Sequence, residues 1–270
     1  MSETGSSLER LREMYLQYGC CMAFVAVERD GVAGIGSAFH VGDGIFMTAR
    51  HVVDGAAIRE VRLTNAHLFY RSSLYPKGPG GSYRITSESP RMTDDYDGVL
   101  RLVGQPNFHP DPTVDLAALR VTGMSQNAHF VPLGGHLDDS VGEGDFELSR
   151  AVVLGYPPIP FTRQPVLIAA SCEVNATVDL AMGSNQLHFL LSAVPRGGFS
   201  GGLAFSEWGF ALGVITQSLI SGGGPPETGY FTATSIEAVY VCLQANGLLP
   251  KAQSDGWDGL WDDKDEGNQL

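Results

Sequence analysis

Short apolar runs, each cut off by a glycine, proline or aspartate turn, recur from residue 21 to residue 234 and leave little room for long helices. The first half reads CMAFVAVE, AGIGSAFHV and IFMTA, broken by Arg29-Asp30-Gly31 and Gly42-Asp43-Gly44, then a candidate over 98–103 and VDLAALRV at 114–121. The second half reads AVVLGYP, PVLIAASCEV, LHFLLSAV, GGLAFS, FALGVITQSL and GYFTATS. Runs of this kind between turn-forming residues are strands, and Asp-Gly pairs between them are hairpin turns. Helical spacing occurs at the two ends. Residues 7–18 place Leu8, Leu11, Met14, Tyr15 and Tyr18 at helical intervals, and 235–247 start on serine and stop on glycine. Residues 71–112 are rich in Pro, Gly, Ser and Asp and read mostly as surface loop, and 132–146 as a linker. The pattern predicts an all-β protein of two packed six-stranded antiparallel β-barrels with a short N-terminal and a C-terminal helix. The expected units are a helical extension over 1–19, barrels over 20–135 and 136–234, and a helix with an acidic tail over 235–270.

Charge and composition narrow the function. Seventeen basic residues stand against 30 acidic ones, a net charge of −13, and no Lys/Arg run could track a phosphate backbone. Nucleic acid is therefore excluded as a partner. No run of 18 apolar residues exists and the first residues lack an apolar signal core, so no membrane partner is expected and the expected location is cytoplasmic. Cys20, Cys21, Cys172 and Cys242 have neither metal-ligand nor disulfide spacing and read as free thiols. No metal and no organic cofactor are expected.

The stretch RGGFSGGLAF sets Ser200 among four glycines between two apolar runs. A neutral hydroxyl attacks poorly unless a base takes its proton, a third group orients that base, and donors face the developing oxyanion. Among the seven histidines, His51 in FMTARHVVDG follows a strand and a small-residue turn, whereas His40 and His188 lie inside strand runs. His67, His109, His129 and His136 lie in loops. Asp115 opens the apolar run VDLAALRV, where a carboxylate needs a hydrogen-bonded partner, whereas Asp94, Asp95, Asp97 and Asp111 sit in polar loops.

The order His51, Asp115, Ser200 is that of the chymotrypsin arrangement. TARHVV, VDLAAL and GGFSGG resemble the three active-site segments of the trypsin/chymotrypsin-fold serine proteases, with a character close to the intracellular HtrA-type branch without its PDZ domain. The resemblance covers most of residues 20–247. It implies that Ser200 is the nucleophile, His51 the general base and Asp115 the group that orients the imidazole. It also implies an oxyanion hole from the backbone N–H groups of Gly198 and Ser200. By the same resemblance Val194 floors the pocket for the side chain before the scissile bond, Gly229 forms one wall, and Thr216, Gln217 and Ser218 bind substrate backbone. An uncharged floor implies cleavage after medium or large apolar residues of a protein or peptide substrate.

Phe199 departs from the digestive and clotting enzymes, which carry there an aspartate that receives a new N-terminal amine. Activation by N-terminal processing is therefore not expected. The aromatic keeps an alternative open: a latent or inactive protease-fold binding module that needs an activating protein partner or only recruits one. Esterase chemistry on an α/β-hydrolase elbow would need a helix after Ser200, where the sequence reads as strand.

Overall fold

The computed structural model describes residues 7–64, 98–124, 128–134, 146–179, 186–193, 196–219 and 230–254. Two closed antiparallel barrels make up most of it. In the first, β1 (Met22–Arg29), β2 (Val32–Gly42), β3 (Ile45–Thr48), β4 (Ala57–Leu63), β5 (Val99–Leu102) and β7 (Ala117–Thr122) form a ring that closes where β3 pairs with β7. The short β6 (Asn107–Phe108) pairs with the start of β7 and β5 with its end, so the two share one edge of that strand. Asp30 and Gly31, and likewise Asp43 and Gly44, have positive φ, the backbone that tight two-residue hairpins require.

The strand β4 is not apparent from apolar patterning, because AIREVRL carries three charged residues. Arg59 is exposed and pairs at 3.0 Å with Glu28 of the neighbouring β1, Glu60 and Arg62 are half-buried, and Val61 and Leu63 are buried. A single turn, α2 (Arg50–Val53), follows β3.

The second barrel is β8 (Arg150–Gly155), β9 (Ile168–Asp179), β10 (Leu187–Leu191), β11 (Leu203–Ser206), β12 (Ala211–Leu219) and β13 (Tyr230–Ser235), closed in the order β10-β13-β12-β11-β8-β9. The N-terminal helix α1 (Ser7–Tyr18) packs on this barrel, with Leu11 and Leu16 buried and the Tyr18 ring edge-on to Phe205 at 5.6 Å. Helix α3 (Ile236–Ala245) starts on Ser235, whose hydroxyl accepts the Glu237 N–H, the usual remedy for an unpaired donor in a first turn. Among the described residues no helix is long and apolar enough to cross a membrane.

Where the barrels meet, Tyr156 of the second barrel is fully buried, lies edge-on to Phe24 at 5.9 Å and donates its hydroxyl to Met22 O of the first at 3.0 Å. One buried apolar cluster runs across this seam, and a smaller one fills the first barrel around Phe46, Val61 and Leu119.

After α3 the chain returns to the first barrel as α4 (Lys251–Ser254). Buried Gln253 donates to Val41 O and Val131 O at 2.7 and 2.8 Å and accepts Leu133 N–H at 3.1 Å. One side chain thus pairs three backbone groups in an apolar setting. Gln253→Ala is expected to lower unfolding free energy by about 2–4 kcal/mol, read as a shift of the urea midpoint at unchanged m-value.

Candidate active site

Strand β3 ends at Thr48, Ala49 stays extended, and α2 begins, which brings His51 out at the end of the strand. Val52 and Val53 of this turn are buried. Gly36 explains how closely the turn sits on β2: a Cβ there would lie 2.5 Å from Val52 Cγ1. From β1, Arg29 donates to His51 O and Asp54 O at 3.0 and 2.6 Å and holds the carbonyl end of the turn. Arg50 stacks over the Phe108 ring at 4.6 Å and pairs through Nε with Asp54 at 2.9 Å.

Asp115 sits just ahead of β7, in the loop after β6, rather than inside the strand. Its two oxygens are used separately. Oδ1 accepts the His51 backbone N–H at 2.8 Å, and Oδ2 accepts the His51 Nδ1–H at 2.6 Å. A carboxylate can only accept here, so Nδ1 carries a proton, and in the neutral form of the ring the lone pair is left on Nε2. The His51 side chain is 50% exposed and that of Asp115 13%. The carboxylate partner demanded by the apolar run VDLAAL is thus the histidine turn.

Ser200 lies on a loop whose glycines answer to geometry. Gly198 and Gly201 have φ of +90° and +81°. A Cβ at Gly201 would fall 2.0 Å from Ser37 O, and one at Gly198 2.4 Å from Tyr156 O, so no other residue fits either place. Phe199 is buried, its ring edge-on to Phe231 at 5.8 Å and pressed on Gly155, where a Cβ would meet the ring at 2.7 Å. The N–H groups of Gly198 and Ser200 donate to nothing among the described residues.

A cleft of about 540 Å³ joins these parts, lined by Arg50, His51, Asp54, Pro112, Thr113, Asp115, Ser200 and Thr216. His51, Asp115 and Ser200 therefore share one cavity, although among the described residues no hydrogen bond joins Ser200 to the imidazole. Thr216 reaches the cleft and its hydroxyl bonds Thr234 at 2.8 Å, which in turn bonds His188 Nε2 at 3.3 Å. Gln217 and Ser218 continue along β12, paired with Thr232 and Phe231. Val194 and Gly229 lie outside the described residues. The sequence reading missed Arg50 and Asp54, which line the cleft, and Pro112 and Thr113, whose setting in a polar loop carries no signal of its own.

The other described histidines have structural places. His40 is buried, bonds His129 O through Nδ1 at 2.7 Å and accepts Gly44 N–H at Nε2. Burial holds its pKa below the ordinary imidazole range, against an upward pull from the bond to His129 O and from Asp43, and burial lowers His109 and His129 as well. All four cysteines are buried free thiols, and burial pushes Cys172 and Cys242 up to about 12. Among the described residues no group of His, Cys, Asp or Glu is arranged to hold a metal ion.

Residues 36–214 match the trypsin-like peptidase domain family, and the chain belongs to that family. Its fold is that of the HtrA-type serine proteases. It is similar to the HtrA-type protease AlgW with a tripeptide, at 19% identity and a TM-score of 0.57, over 88% of this chain and 63% of that one. It is similar to a serine endoprotease from Yersinia pestis, at 18% identity and a TM-score of 0.52, over 94% of this chain and 69% of that one. It is also similar to the active form of the Rv3671c protease from M. tuberculosis, at 16% identity and a TM-score of 0.55, over 90% of this chain and 87% of that one. At these identities the likeness is one of fold. The chain spans under two thirds of the AlgW structure. No curated protein matches it significantly.

A buried neutral histidine gives the protein an acid-sensitive element. With His40 depressed in the folded state, its penalty is absent above the unfolded value near 6.5 and grows as pH falls below it, because the unfolded chain takes up the proton first. Stability should therefore decline from about pH 6.5 downward, and His40→Asn should flatten that decline in urea unfolding at successive pH values.

Proposed function

We propose that this protein is a serine endopeptidase that hydrolyses peptide bonds through an acyl-enzyme, with His51, Asp115 and Ser200 as its triad. The observation that carries the reading is the His51 Nδ1 bond to Asp115 at 2.6 Å in the cleft that Ser200 also lines. It leaves Nε2 able to accept the Ser200 hydroxyl proton as Oγ attacks the scissile carbonyl carbon. The carbonyl π electrons move to oxygen, and the N–H groups of Gly198 and Ser200 take the resulting oxyanion. As the intermediate collapses, the C–N bond breaks and the imidazolium gives its proton to the leaving amine. Water then enters, loses a proton to Nε2 and attacks the ester; the acid leaves and Ser200 recovers its proton. Asp115 stabilises the imidazolium in each half of the cycle and stays ionised.

The burial of Phe199 supports an oxyanion loop that forms without a liberated N-terminal amine. We assign the pocket before the scissile bond to the Val194 and Gly229 segments by resemblance, with Thr216, Gln217 and Ser218 adding the substrate as a strand. A peptide library cleaved chiefly after medium or large apolar residues is the expected result, and a preference for Lys or Arg would remove that assignment.

Fluorophosphonate labelling followed by intact mass and peptide mapping tests the chemistry. The wild-type chain should gain one adduct at Ser200, and Ser200→Ala and His51→Ala should lose it while keeping their circular dichroism. An adduct that survives Ser200→Ala would refute the assignment of the nucleophile.

A further inference from the structure

Ser37 lies on β2 of the first barrel and is fully buried. No feature of the sequence singles it out. In the fold it reaches across the seam into the nucleophile loop of the second barrel. Its backbone N–H donates to Ser200 O at 2.8 Å. Its hydroxyl donates to Gly198 O at 2.6 Å and accepts Tyr156 N–H at 2.8 Å. Its carbonyl accepts the Thr48 hydroxyl at 2.7 Å, at the end of the strand that leads into the His51 turn.

These bonds act on peptide planes. Pinning a carbonyl fixes the whole planar unit, including the N–H on its other side. Ser37 Oγ holds the Gly198–Phe199 unit, Gly202 N–H holds Phe199 O at 2.7 Å, and Ser37 N–H holds Ser200 O. The middle unit carries the Ser200 N–H, opposite a carbonyl already engaged by Gly202. The fit leaves no slack: a Cβ at Gly201 would lie 2.0 Å from Ser37 O, and one at Gly155 3.0 Å from Ser37 Oγ.

We propose that Ser37 is a positioning residue for catalysis, a latch through which the first barrel holds the two peptide units that flank the one carrying the Ser200 N–H, and so turns that N–H to the oxyanion. The inference rests on the reading of Ser200 as nucleophile. It assigns to a neutral hydroxyl of the opposite barrel the task that a charged N-terminus performs where residue 199 is acidic.

Ser37→Ala tests it on the full chain. Alanine keeps the N–H to Ser200 O and removes the hydroxyl from Gly198 O and Tyr156 N–H. At unchanged circular dichroism, the fluorophosphonate labelling rate and kcat should each fall about tenfold to a hundredfold, with KM within about twofold. Ser37→Cys, a weaker donor in a similar volume, should fall between alanine and wild type. A folded Ser37→Ala that labels at the wild-type rate overturns the latch while leaving Ser200 as nucleophile. Equal losses for alanine and cysteine that track a lowered Tm also overturn it. Should the alanine variant not fold, Ser37→Cys decides alone: a reduced rate at native circular dichroism supports the latch, and a wild-type rate refutes it. A wild-type chain that never labels overturns the catalytic reading and the latch together.

Discussion

The contact between the two barrels is the constraint on which the rest of this molecule depends. Each barrel is a closed sheet with its own interior, and the candidate site is divided between them: His51 and Asp115 belong to the first and Ser200 to the second. Tyr156 bridges the seam through its ring on Phe24 and its hydroxyl on Met22 O. Close by, Ser37 carries hydrogen bonds to Gly198, Ser200 and Tyr156, all residues of the other barrel. Polar groups buried at such a seam are costly unless paired, and here they are paired.

The Ser200 loop is secured by apolar burial and neutral hydrogen bonds. Phe199 places its ring between Phe231 and Gly155, a burial contributing about 2–3 kcal/mol, and no charged partner is involved. The histidine side of the cleft is held differently. Arg29 spans from β1 to the carbonyl end of α2, Arg50 is pinned by Phe108 and Asp54, and the backbone and ring of His51 both bond Asp115. The half-exposed imidazole owes its orientation to those bonds more than to packing.

Much of this was legible in one dimension. Turn glycines and the Asp30-Gly31 and Asp43-Gly44 pairs marked the strands they separate, and the Ser235 start and Gly247 stop framed a helix. Strand β4 escaped notice because it carries three charged residues, and only its pairing with Glu28 on β1 reveals why a strand tolerates Arg59 there. The single turn α2 and the two-residue β6 are too short to leave a period. Asp115 was expected at the head of a strand and stands just ahead of it, where its carboxylate can turn toward the histidine.

By itself the sequence determined the all-β class, the pairing of barrels, the order of His51, Asp115 and Ser200, and the glycines around the serine, because these follow from local turn chemistry and from residue types rare in such settings. Tertiary structure alone decided that Gly201 must be glycine because Ser37 and Thr48 lie against it, and that Phe199 is a core residue. It also decided that Arg50, Asp54, Pro112 and Thr113 share the cleft with the histidine. The first depends on backbones that approach across the seam between the barrels, and the others on packing between segments that no local pattern places side by side.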